Sequence, residues 1–393
     1  MKLRSIVVLL ALLAASACAE PLEFADWTIP VPEGTRIIEY AAVPPEQRVE
    51  RIELVEDLVI GERGDDDNYR LYNAAGAKVD AEGNLLVLDA GSFRVQVFDR
   101  DGDYVRTLGG QGQGPGEFTR PRELVLAGDR VVVVDSGNRR FSSWTLDGEP
   151  LGDVGIDSRW TPSRLFGFDD GTFLGRFIGR RDEDPSGAYA PRLRLFTFGT
   201  DFKQLAAVQE FPPVRLSAIT RQTETAFSEM RVMLPSPSSS HAATRRGEIF
   251  TSQGEEYQVY AFAQDGTPRR ALRVAWERLP TTEGEIVAAM DRARESLPDA
   301  RRSEVYIPER KPALSSIAVD GHGHLYVFPW PEDLETDERP VDIYSRDGEP
   351  VFSGWMPVLR WSDARGDFLY GWESDDETGE ERIIRYRLVE PFR

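Results

Sequence analysis

At 393 residues the chain is long enough for one large β domain or two smaller ones. Aspartate and glutamate number 67 against 47 lysines and arginines, and the resulting formal charge of −20 argues against nucleic acid as a partner. A single cysteine excludes an internal disulfide, so stability has to come from a large apolar core.

Residues 1–17 read as a signal peptide. Lys2 and Arg4 form the basic start, residues 6–13 an apolar core too short to span a bilayer, and Ala15-Ser16-Ala17 the small-residue exit. Cys18 follows directly, which matches a bacterial lipobox except that Ala15 stands where leucine is usual. The expectation is an exported protein held at the periplasmic or outer-envelope membrane only through a lipid on Cys18. Cleavage after Ala17, giving a soluble periplasmic or secreted protein, is the alternative.

Residues 18–47 form an N-terminal extension without internal marks. The stretch 48–61, "RVERIELVEDLVIG", alternates Ile52, Leu54, Leu58 and Ile60 and reads as a strand without a repeat of its own. A repeat then begins. "EGNLLVLDAGSFRVQVFDRDG" (82–102) aligns with "AGDRVVVVDSGNRRFSSWTLDG" (127–148) at an offset of 46 residues, pairing Asp89 with Asp135, Gly91 with Gly137 and Arg94 with Arg140. Further copies lie at 246–266 and 320–348, and weaker ones at 169–198 and 365–390. Each reads as a four-stranded meander with an Asp-Gly hairpin, and Val95, Val97 and Val105 are expected on an inward face.

Six such units make an all-β, six-bladed propeller over residues 48–393 with four-stranded antiparallel blades. The last copy has three strands, so 48–61 is expected to supply the missing outer strand and close the ring. A seventh blade from residues 21–75 is the competing count. The stretch 75–124 resembles an NHL repeat with its linker, and the whole is similar to bacterial secreted six-bladed propeller proteins. That resemblance implies a fold and a binding surface, not one reaction.

The run "GGQGQGPGEF" (109–118) invites a phosphate-loop reading, but no Gly-Lys-Ser/Thr follows and Glu117 breaks G-x-G-x-x-G. It is expected to join two blades instead, with Gln111, Gln113, Arg122 and Glu123 as candidates for a ligand-binding face. Two long connectors, 211–240 and the one bearing "TTEGEIVAAMDRARESLPD", should rise from that same face. The second has a capping box from Thr282 to Glu285, and Ile286, Met290, Ala293 and Leu297 fall on one side of a helix over 281–297.

Signs of chemistry are sparse. His241, His322 and His324 are expected in surface positions on opposite faces, which separates them as zinc ligands. Asp80, Glu123 and Asp320 stand at inner-strand ends, where gluconolactonase-like propellers hold calcium, so calcium is possible although no spacing singles it out. The repeated Asp and Arg of "DAGSFR" and "DSGNRR" read as structural ties. No cofactor is identified and no catalytic motif is present. The chain therefore reads as a binding or scaffold module for a protein, peptide or carbohydrate. The alternative is a calcium- or zinc-dependent hydrolase or lyase working in the central channel.

Overall fold

The computed structural model describes residues 31–61, 66–156, 160–179, 193–211, 217–222, 227–332, 336–374 and 381–389. The signal peptide and Cys18 lie outside these residues. Six four-stranded antiparallel sheets stand as blades around an axis, at 74–109, 121–155, 160–211, 240–275, 314–357 and 361–389. We number these blades one to six.

Six apolar cores form the ring, one between each pair of adjacent blades, including blades six and one. The second strands of blades one and two, Leu85–Asp89 and Arg130–Asp135, are buried along nearly their whole length. Such a strand has a neighbouring blade on both faces, so its sequence is continuously apolar instead of alternating. Val95 and Val97 fill the core between blades one and two. Val105 corrects the sequence expectation: it lies in the outermost strand of blade one and is 43% exposed.

The sixth blade is completed by Glu53–Ile60, which pairs antiparallel with Glu381–Val389 and closes the ring as its outermost strand. The N-terminal segment does more than that. Arg36–Ala41 adds a fifth strand, parallel, to the outer edge of blade four. The chain then crosses blade five, where Ile52 and Trp355 are joined through their backbones and the Trp355 indole donates to the Arg48 carbonyl at 2.8 Å. Residues 36–60 thus form a strap along the edges of three successive blades.

Arg48 pins the strap. Its guanidinium enters the core of blade five and meets the Asp342 carboxylate at 2.8 and 2.9 Å, with 4% and 3% of the two residues exposed. Tyr257 donates to the same carboxylate at 2.7 Å, and its hydroxyl lies 3.2 Å from that of Tyr344. Burial, and then the Asp342 charge, push both tyrosine hydroxyls well above the usual range, so they remain protonated.

The connector between blades one and two holds the glycine run. Phe118, fully buried, packs edge-on against Trp144 with centroids 5.6 Å apart. The chain turns back over it at Gly109, where φ is +85° and a Cβ would stand 2.2 Å from the Phe118 ring. The Glu117 carboxylate takes the Gly114 N–H at 2.8 Å, and Arg140 donates to the Glu117 carbonyl at 2.7 Å. Donors that a phosphate would need are occupied by the loop itself.

The same Asp and Arg positions tie each connector down. The Asp135 carboxylate accepts from the backbone N–H groups of Thr119 and Arg120, as Asp89 does from Tyr72. Arg94 donates to the carbonyls of Asp67 and Arg70. The repeat-marking glycine beside each Asp sits against the connector: a Cβ on Gly137 would stand 2.1 Å from Thr119 Oγ1, and one on Gly91 2.2 Å from the Tyr72 carbonyl oxygen. No larger residue fits there.

The two long connectors come together. The hairpin Ala218–Gln222/Phe227–Arg231 and the helix Glu283–Ser296 share a small apolar core of their own, built on Ile219, Val232, Ile286 and Met290. Thr282 caps the helix as expected, with both capping-box hydrogen bonds in place. Among the described residues no helix is long and apolar enough to cross a membrane.

Candidate functional site in the central channel

The innermost strands surround a channel: Ala74–Val79, Pro121–Ala127, Trp160–Gly167, Ser240–Ala243, Leu314–Val319 and Trp361–Arg365. Several of these strands carry a charged or polar side chain in an otherwise small or apolar sequence. Both flanks of an inner strand meet other blades, so such a side chain has only the axis to face. Lys78, Glu123, Arg164, His241 and Asp363 are placed in this way.

Two cavities share the channel and meet at Arg164, His241, Ile317 and Trp361. One, of about 560 Å³, opens among the turns that follow the innermost strands, beside Thr244–Glu248 and Asp320–Gly323. The other, of about 340 Å³, opens on the connector face beside Ser239, Ser315 and Met356–Leu359.

The turn side holds charges of both signs, with basic side chains outnumbering its four carboxylates. Arg245 bridges blades four, one and six by donating to Asp363 at 2.6 Å and to the Val79 carbonyl at 2.8 Å. Lys78 donates to the Ser362 carbonyl at 2.8 Å, and burial lowers its pKa. Burial raises the Glu123 carboxyl, which accepts one long hydrogen bond, 3.4 Å, from the Leu165 N–H. Lys78 and Glu123 are thus both pushed toward their neutral forms.

On the connector side the balance is different. Arg164 and Arg176 project into the wall with His241, and no carboxylate lines this cavity among the described residues. Arg176 donates to Ser163 Oγ at 2.9 Å, and burial followed by the Arg164 charge lowers its pKa. His241 is 6% exposed and packs on Phe211 with centroids 5.0 Å apart, and among the described residues neither ring nitrogen has a partner. Burial, then the two arginines, hold its pKa well below the usual histidine value, so the ring is neutral.

Of the residues singled out in the sequence, His241 lines both cavities and Asp320 the turn-side one, while Glu123 lies on an innermost strand, coupled to Lys78 and Arg164, without lining either. Gln111 and Gln113 are exposed on the blade one–two connector, and Arg122 is exposed and donates to Ser136 Oγ at 3.0 Å. None of these three lines either cavity. The surface expectation for His241 is corrected: it belongs to an innermost strand and is sealed by Phe211 and neighbouring strands. His322 and His324 do lie in the turn after an innermost strand, where His322 meets Asp367 and His324 meets Asp320, each at 2.8 Å.

The acidic candidates at strand ends are occupied by their own turns. Asp80 accepts from the backbone N–H groups of Glu82 and Asn84, and Asp320 from those of His322 and His324. Asp99 does the same for Asp101 and Asp103. Among the described residues no three His, Cys, Asp or Glu side chains converge as a metal-binding group.

A family model described as 6-bladed beta-propeller matches residues 78–176. The described residues form six blades of this kind. No curated protein matches the sequence. Among solved structures, the chain is similar to a protein of Bacteroides fragilis described as exported, at 11% identity and a TM-score of 0.50, covering 90% of this chain and 99% of that one. It is also similar to a DUF4221-family member from Bacteroides vulgatus, at 11% identity and a TM-score of 0.49, covering 86% and 99%. Virginiamycin B lyase from Staphylococcus aureus is more distant, with 13% identity, a TM-score of 0.40 and coverage of 86% and 100%. These likenesses concern the fold alone.

Proposed function

We propose that this chain is an exported binding module whose ligand enters the channel from the connector face. The observation that carries the reading is the wall around Arg164, Arg176 and His241, where the His241 ring and the Ser239 hydroxyl are buried without partners among the described residues. Trp361 and Met356 supply apolar surface beside it. The test is a thermal-shift screen of small metabolites, repeated on Trp361→Ala. Hits should raise the melting temperature of the parent chain and lose their effect in the variant. Hits that act equally on both would sink the channel as the site.

The basic start, apolar core and cysteine of residues 1–18 support export and a lipid on Cys18, and the Bacteroides fragilis neighbour is described as exported. With Cys18→Ser the protein should move from the membrane to the soluble fraction, and unchanged fractionation would refute the anchor.

A second reading, a hydrolase or lyase in the channel, draws on one observation. Lys78, which lines the turn-side cavity, and Glu123, coupled to it, are both perturbed toward neutrality, as acid–base groups often are. A calcium or zinc version needs a donor cluster, for which the described residues offer none. Calcium or zinc retained through purification, seen by elemental analysis, would favour this reading over the binding module.

A further inference from the structure

The connector-side half of the channel has an electrostatic character opposite to that of the whole chain. The protein carries a net charge of −20, yet the described lining of this half holds Arg164, Arg176 and Arg339 and no carboxylate. On the turn side, by contrast, Arg245 is neutralised by Asp363.

Among the described residues neither guanidinium at the waist forms an ion pair. Arg164 stands over the face of Phe166, 5.7 Å from the ring centroid. Arg176 spends its hydrogen bonds on Ser163 and the Ser239 carbonyl. Glu123 interacts with both arginines electrostatically but forms an ion pair with neither, and burial raises the pKa of its carboxyl. Exposed Arg164 and half-buried Arg176 repel each other beside a buried histidine whose ring nitrogens have no partner among the described residues, an arrangement that carries a free-energy cost. An anion placed between them removes that cost.

The rest of this half is apolar surface interspersed with Ser239, Ser240, Ser315 and Ser316. Phe328, Met356, Leu359 and Trp361 line it on one side, within a volume of about 340 Å³. The space suits a small molecule and is far too narrow for a folded partner.

We infer that this cavity binds a small oxyanion, a carboxylate or a phosphate ester, carried on a compact apolar or aromatic body. Arg164 and Arg176 receive the oxyanion, and Trp361 and Met356 cover the body. Carboxylates and phosphates share the planar or tetrahedral oxygen geometry that guanidinium groups hold through paired hydrogen bonds. The inference rests on the channel being the ligand site, and adds the charge class of what it takes.

The test is calorimetric titration of the full mature chain with benzoate, phenyl phosphate, inorganic phosphate, benzamide and benzamidine. Benzoate and benzamide are alike in shape and differ in charge, and benzamidine reverses the charge. Benzoate or phenyl phosphate should bind in the millimolar range or tighter, with benzamide at least about tenfold weaker, the value of one hydrogen bond to a charged group. The preference between the two anions separates a carboxylate site from a phosphate site, and inorganic phosphate alone reports the share of the apolar body. Arg164→Gln should weaken the anions about tenfold and leave benzamide unchanged; Arg164 projects into open channel, so the variant keeps its fold. Arg176→Gln should act in the same direction.

Equal binding of benzoate and benzamide, or preference for benzamidine, overturns the inference. If that binding is lost in Trp361→Ala, the channel stands as the ligand site and only the charge class falls. If no anion binds at millimolar concentration, the oxyanion inference falls, and the metabolite screen on Trp361→Ala decides the channel separately.

Discussion

Arg48→Ala is expected to remove about 3–5 kcal/mol of folding stability, because it leaves the Asp342 carboxylate buried without its counter-charge. The tyrosines cannot substitute. Tyr257 already donates to Asp342, and its phenol carries no charge to balance a buried carboxylate. The loss also frees the strap where it crosses blade five. That would weaken the grip of residues 36–60 on blades four and six, whose outer edges the strap covers. Denaturant unfolding followed by tryptophan fluorescence measures this directly. Replacing both partners with apolar residues, Arg48→Met with Asp342→Leu, should recover most of the loss, since a buried ion pair adds little over well-packed hydrophobic side chains. A cost below about 1 kcal/mol for the single variant would show that Arg48 is not what fastens the strap.

The second large effect is on pH dependence. In the folded chain His241 is neutral with its pKa held well below the usual value by burial and by Arg176 and Arg164, whereas in the unfolded chain it titrates near 6.5. As pH falls below about 6.5, the unfolded state takes up a proton that the folded state refuses. Stability must therefore decline toward acid, by up to about 1.4 kcal/mol for each pH unit while the mismatch lasts. Glu123 acts in the opposite sense, because its raised folded pKa means that protonation below that value favours the fold. The comparison that isolates histidine is His241→Leu against the parent chain, since Glu123 is common to both. Between pH 7 and pH 5 the parent should lose more stability than the variant. Equal slopes would mean that His241 is not held neutral.

Much of the architecture was legible because propeller blades leave local marks. The Gly91 and Gly137 positions recur because a connector passes within van der Waals distance of them, and the Asp-Gly turns recur because hairpins need them. Glu53–Ile60 was legible as the closing strand through its alternation and through the three-stranded last copy. Arg36–Ala41 was not. A parallel strand added to an edge more than 200 residues away has no turn chemistry to announce it, and its pattern of exposure is irregular. Val105 was misplaced because an outer strand alternates like an inner one while facing solvent.

The channel was harder to read for a related reason. Its residues come from strands scattered along the chain, at positions that do not share one register in the repeat. A usable signal did exist: Lys78, Glu123, Arg164, His241 and Asp363 each interrupt an innermost strand. A charge in a strand flanked by blades on both sides has only the axis to face. The exposed connector residues Gln111, Gln113 and Arg122 drew attention because their loop is glycine-rich, but glycine there serves the tight turn over Phe118.

The claim that the channel is the ligand site can be tested through the three histidines of the chain. Nitrogen–proton spectra of isotope-labelled histidine distinguish His241 at the channel waist from His322 and His324 in the turn on the opposite face. Compounds that stabilise the protein should shift the His241 ring resonances and leave the other two in place. Shifts confined to His322 and His324, or stabilisation with no change at His241, would contradict a ligand seated between Arg164, Arg176 and Trp361.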